Sequence, residues 1–178
     1  MKRSLALVIA AVCFLAMAPA SAEHEVVQDQ NDVSGRLDLR RVEMKEGPRR
    51  WLLTTQKRFN ADQIFDKGYF LVYLDTFGDK RFDYYVLLRS IRNRIRGDLW
   101  RDRKKSNDEM VKRTETWRPD EKTITTTVPF NKIFRPKTRL DFRWHAVSLW
   151  SGPSCRRTCI DRAPNGRSVT ELYVQPPT

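Results

Sequence analysis

The chain is poor in the residues from which many small proteins build metal sites, covalent braces or membrane spans. Three cysteines and two histidines among 178 residues are too few for a dense disulfide framework or a Cys/His zinc module. Beyond residue 17 no apolar run approaches the ~20 residues that a spanning helix requires. No segment carries a sustained helical periodicity, and there is no repeat, low-complexity tract or internal linker. These absences exclude a multispan membrane protein, a collagen and a disordered basic tail. They also speak against sequence-specific DNA binding, since no helix is on offer for the major groove. Acidic side chains are in deficit as well: 22 Asp and Glu face 34 Lys and Arg, a formal surplus of 12 positive charges.

What the sequence does contain begins with a leader. Lys2 and Arg3 form a charged start, residues 5–17 are almost unbroken apolar, and Ala20-Ser21-Ala22 supplies a small-x-small cleavage site, the pattern of a secretory signal peptide. Val12 ahead of Cys13 leaves no lipobox. Cleavage after Ala22 is expected, which divides the chain into a signal peptide over 1–22, a polar, aperiodic and flexible arm over 23–33, and one domain over 34–178. Loss of Lys2 and Arg3 lowers the surplus from 12 to 10. The expected location is therefore secreted, extracellular or attached to the cell wall, with no transmembrane anchor after cleavage. Cys155 and Cys159 are the two thiols left, and in an oxidising exterior they are expected to close a small local disulfide.

The mature chain reads as short β-type runs separated by turn chemistry. Alternating segments over 37–42 and 51–55 are followed by an apolar run over 69–74, expected to be buried on both faces, and by its hairpin partner over 82–88. Arg92, Arg94 and Arg96 then alternate with Asn93 and Ile95, and Gly97-Asp98 reads as a hairpin turn into 99–103. Further strands are expected over 111–117, 123–128, 141–150 and 170–174, with a Cys loop after the long one. About nine strands at intervals of roughly ten residues, with little helix, predict an all-β antiparallel sandwich or barrel.

Three patterns point further: Gly35-x-Leu37-Asp38-Leu39, Leu74-Asp75-Thr76-x-Gly78-Asp79-x-x-x-Asp83-Tyr84, and Cys155-x-x-x-Cys159-x-Asp161-x-Ala163-Pro164. Together they resemble a family of small exported actinobacterial proteins of unassigned function. That resemblance implies export and a jelly-roll-like sandwich similar to carbohydrate-binding modules. It implies no catalytic residue.

Two surfaces stand out as candidate sites. Asp75, Asp79 and Asp83 surround Gly78, and carboxylates so spaced can converge on calcium, which takes six to eight oxygen ligands. Phe77 and Lys80, however, stand where an EF-type loop carries an oxygen ligand and a glycine. The competing reading is a hairpin whose aspartates accept hydrogen bonds from turn amides. No other cofactor is expected. The second surface is a basic hairpin of Arg89, Arg92, Arg94, Arg96, Arg101, Arg103, Lys104 and Lys105, a concentrated positive field suited to polyanions; its competing reading is a solvated face that protects sheet edges. Trp100 and Trp117 nearby are candidates for stacking on sugar rings. His24 and His145 have no serine motif or paired base around them, so no catalytic residues are assigned and the balance is against an enzyme.

The expected function is thus a secreted, non-enzymatic binder of an anionic or saccharide polymer of the cell envelope. A structural or protein-interaction module is the alternative, and a glycoside-active enzyme the weaker one. Oligomeric state is not encoded in any feature of the sequence.

Overall fold

The structure is a computed structural model, and it describes residues 24–45, 49–64, 67–103, 105–133, 140–153, 155–166 and 169–173. The expected leader over 1–22 and Lys104 lie outside them. Eleven strands account for most of the described chain: β1 (His24–Gln28), β2 (Leu39–Lys45), β3 (Arg50–Thr55), β4 (Gly68–Asp75), β5 (Tyr84–Ile91), β6 (Arg94–Arg101), β7 (Glu109–Trp117), β8 (Thr123–Thr127), β9 (Leu140–Gly152), β10 (Cys155–Ala163) and β11 (Val169–Tyr173). Two short 3-10 turns, Ala61–Ile64 and Phe130–Lys132, are the only helical pieces among the described residues. No helix there is long and apolar enough to cross a membrane.

The all-β antiparallel architecture read from the sequence is what forms. Its strands make one continuous sheet in the order β1-β2-β3-β8-β7-β6-β5-β4-β9-β10, with β11 beside β9. The two layers of a sandwich are here two halves of that sheet, joined through β7, which pairs β6 on one side and β8 on the other. The ends approach each other: Leu39 N donates to Asp161 Oδ2 at 2.5 Å, and Ser148 Oγ donates to Leu37 O. The sheet is thereby almost closed into a barrel, by side chains rather than by a strand ladder.

Even-numbered residues of β4 and β5 point inward and are buried: Phe70, Val72, Leu74, Tyr84, Val86 and Leu88. Trp51 from β3 and Trp144 and Phe142 from β9 meet them in the interior, with ring centroids 6.1 Å apart for the two indoles and 6.5 Å for Trp51 and Phe142.

Three local readings are corrected. Residues 24–28, expected to belong to an aperiodic arm, form β1 paired with β2, because Val27, opposite Val42, reaches the core. Gly97-Asp98 is not a turn but the middle of β6; the two-residue loop is Arg92-Asn93, with Ile91 opposite Arg94 and φ of 51° and 58° at the two loop residues. Both residues adopt the left-handed values of a primed hairpin turn. Gly97 marks a close approach instead, since an added Cβ would lie 2.2 Å from Thr114 Oγ1. Finally, the Cys segment belongs to β10. The Cys155–Cys159 disulfide, Cα–Cα 5.9 Å, clips a bulge in which four steps along β10 match two along β9.

Candidate binding groove

The alternation of β4 and β5 decides where the surface opens. With Phe70, Val72 and Leu74 committed to the core, Tyr69, Leu71 and Tyr73 face outward. On β5 the same parity turns Tyr85, Leu87 and Arg89 to that face. The apolar run over 69–74 is therefore only partly buried on its outer face: Leu71 is buried, but Tyr69 is 38% exposed and Tyr73 is half-buried. These six side chains line an open groove of about 540 Å³, with Ile64 in its wall and Asp102 and Asp108 from the β6–β7 connection at its rim. Its volume falls within the range of small-ligand clefts, ~300–1,000 Å³.

Strand register arranges the aromatic rings in a row. Trp100 pairs with Tyr85, Tyr85 with Tyr73, and Tyr73 with His145, across β6, β5, β4 and β9. Trp100 and Tyr85 stack at 6.4 Å with planes 6° apart, Tyr73 lies 5.9 Å from Tyr85, and Tyr73 and Phe82 both lean on His145 at 5.1 and 4.5 Å. Such pairs add stabilisation beyond area burial. The Tyr85 hydroxyl donates to Asp108 Oδ2 at 2.8 Å. Burial first, and then that carboxylate, push the Tyr85 phenol above its ordinary range, so it remains a neutral donor at any working pH. Burial likewise raises Tyr73.

Charge is distributed unevenly around the groove. At one end Arg89 stands directly opposite Arg96 on β6. Two like charges on facing residues repel, yet neither has a carboxylate within 4 Å among the described residues. Arg94 continues on the same face of β6, and Arg92 sits at the loop. Asp102 and Asp108 mark the acidic end. Both belong to the β6–β7 connection.

The seven described residues of the basic hairpin read from the sequence are thus separated by the shift of the turn. Arg89, Arg92, Arg94 and Arg96 remain together at the β5–β6 end. Arg101, Arg103 and Lys105 lie at the other end of β6, some ~17 Å away at the rise of a strand. Arg103 is paired there with Glu109, and Arg101, Arg103 and Lys105 border a separate shallow depression with Asp83. Trp100 joins the aromatic row, whereas Trp117 lies off the groove under the Arg50 guanidinium, 5.0 Å from its ring centroid.

Asp75, Asp79 and Asp83 do come together, with oxygens within 4.8 Å of one another. Their hydrogen bonds hold the hairpin. Asp75 Oδ1 accepts from Gly78 N at 2.9 Å and its Oδ2 from Arg143 Nε at 2.9 Å. Asp83 Oδ2 accepts from Thr76 N and Phe77 N at 2.8 and 3.1 Å, and Asp79 Oδ1 from Arg81 N at 3.0 Å.

Sequence reasoning passed over the groove because tyrosine counted as apolar, which concealed the alternation inside 69–74. It also passed over a second acidic group, Asp29, Asp32 and Asp161, in which Asp161 lies more than a hundred residues from the other two. No family model matches the chain, and no curated protein or solved structure is significantly similar to it.

Proposed function

We propose that the protein is a non-enzymatic binding protein of the cell exterior that takes a segment of an anionic saccharide polymer into the groove on β4, β5 and β6. The observation that carries this reading is the union of an aromatic floor with an arginine pair that has no counter-ion among the described residues. Rings such as Tyr69, Tyr73 and Tyr85 offer flat apolar faces with a polar edge, which suits sugar rings. Asp102 and Asp108 are acceptors for hydroxyl groups. Arg89 and Arg96 offer planar donor forks matched to carboxylate or phosphate substituents. The Cys155–Cys159 disulfide fits an oxidising compartment, in agreement with the expected leader.

Retention of the protein on purified cell-wall polysaccharide tests the reading. Binding is expected at low salt and should weaken at high salt, because exposed charge pairs are screened beyond ~10 Å at 0.1 M. Arg89→Gln with Arg96→Gln is expected to reduce retention by about tenfold or more, in line with loss of charge-assisted hydrogen bonds, while the fold is preserved. If the wild-type protein is not retained at low salt, the reading is wrong. Unchanged retention in the double variant would move the site elsewhere.

A further inference from the structure

At the seam where the barrel nearly closes, three aspartates from the segment before β2 meet a fourth from β10. Asp29 follows β1, Asp32 lies in the bend after it, Asp38 immediately precedes β2, and Asp161 is in β10. Asp29, Asp32 and Asp161 each place an oxygen within 4.8 Å of the others. Asp38, buried near them, feels the charge of Asp161 and of Asp32.

The donors at this place are too few for the acceptors. Asn165 Nδ2 serves Asp29 Oδ1 at 3.1 Å and Asp32 Oδ2 at 2.9 Å, and Leu39 N serves Asp161 Oδ2 at 2.5 Å. Asp38 is 1% exposed and Asp161 2%, yet both oxygens of Asp38, Oδ1 of Asp161 and Oδ2 of Asp29 are buried with no hydrogen-bond partner. None of the four carboxylates makes an ion pair within 4 Å among the described residues; Lys57 acts on Asp38 only from farther off. That is notable in a chain with 34 Lys and Arg, where arginine could have been supplied at any of these positions. Buried carboxylates persist when they are paired or bind a cation.

We infer that Asp29, Asp32 and Asp161, with the buried Asp38 beside them, form a calcium site that clasps the seam between β2 and β10. The donor set is all oxygen, which selects a hard cation over zinc or copper. Four carboxylates crowded together leave little room for the several waters that magnesium retains, and they suit the flexible six-to-eight-oxygen shell of calcium. The unpartnered Asp29 and Asp161 oxygens supply the buried side of that shell, and Asp32, the exposed member, supplies its solvent side. The site is separate from the groove and does not depend on the binding function assigned to it.

Calorimetric titration of chelator-treated protein with calcium chloride, together with thermal unfolding in chelator and in calcium, tests the assignment. Saturable binding is expected, with a rise in unfolding temperature of about 5 °C or more at a hundredfold excess over the dissociation constant. Asp32→Asn, at an exposed position where the fold should tolerate it, is expected to weaken binding by about tenfold or more, since affinity follows ligand charge. Asp38→Asn, which removes a neighbouring negative charge, should weaken the calcium response even if its chelator-treated form is as stable as the wild type. Asp79→Asn, at the hairpin cluster, should leave the response unchanged. Absence of binding at millimolar calcium overturns the inference and assigns the seam to shared protons. A response lost in Asp79→Asn but kept in Asp32→Asn and Asp38→Asn overturns it in favour of the hairpin.

Discussion

The ring of His145 is flanked by Tyr73 and Phe82, and burial, with Arg162 as a lesser cause, holds its pKa down to about 4. In the unfolded chain an imidazole titrates near ~6.5. Between these values the unfolded state binds the extra proton, so the stability contributed by the neutral ring is complete above about pH 6.5 and is lost as pH falls towards 4. Thermal unfolding at pH 7 and pH 4.5 should therefore show a larger drop for the wild type than for His145→Gln. Identical drops in the two proteins would rule out this role. The acidic seam titrates in both and cancels in the comparison. Residue-scale features of this kind were only partly legible in advance. His145 reads from sequence as one more strand histidine, because the rings that desolvate it come from positions 73 and 82. Asp38, lodged between Leu37 and Leu39, does carry a local hint: a carboxylate flanked by two core residues has to be buried or to turn outward alone.

Within single elements, the β5–β6 hairpin is the clearest case of pattern outvoted by packing. Gly97-Asp98 is a strong turn signal, and Arg92-Asn93 a weak one. Placing the turn at 97 would withdraw Leu99 from the core and take the glycine away from the point where β6 runs close to Thr114. The hydrophobic positions Leu88 and Leu99, both fully buried, fix the register and leave the loop at the only two residues between Ile91 and Arg94. Arg92 pays for that with a left-handed φ of 51°, which L side chains other than Asn and Asp seldom adopt. Converting the loop to Arg92→Asn with Asn93→Gly, the pair preferred in such turns, should raise stability in urea by about 0.5–1 kcal/mol. A fall would mean that Arg92 makes contacts worth more than its backbone strain. Runs such as 111–117 and 123–128 are readable because β-branched residues, Val111, Thr114 and Thr116 in the first and Thr123 to Val128 in the second, occur without a competing turn signal. The same rule missed β1, whose five residues carry too short an alternation to be seen without its partner β2.

For the molecule as a whole, the cross-link contributes less than its presence suggests. Cys155 and Cys159 enclose a ring of only five residues, and loop-closure entropy for so small a ring is about 2 kcal/mol. Cys155→Ser with Cys159→Ser should thus lower stability by about that amount and leave a cooperative unfolding transition, as measured by urea titration followed by near-ultraviolet circular dichroism. Loss of the folded state would show that the bulge in β10 depends on the bond. All-β character was legible from the spacing of runs and turns, since each strand leaves its own local pattern. Continuity of the sheet was not, because β3 with β8 and β4 with β9 are partners that no local pattern announces.

Those two pairings also set the order in which the barrel can be made. The stretch β4-β5-β6-β7-β8 is a run of successive hairpins, each closing a short loop, whereas Leu53 meets Ile124 and Tyr73 meets His145 only after some seventy residues have been brought back. Loop-closure entropy is lost before such distant contacts repay it, so the meander is the natural nucleus and β3 and β9 dock on its two sides afterwards. Until they do, the edges of β8 and β4 are open to other chains, and the slowest and most aggregation-prone stage of folding is the wait for the strands that precede and follow the meander.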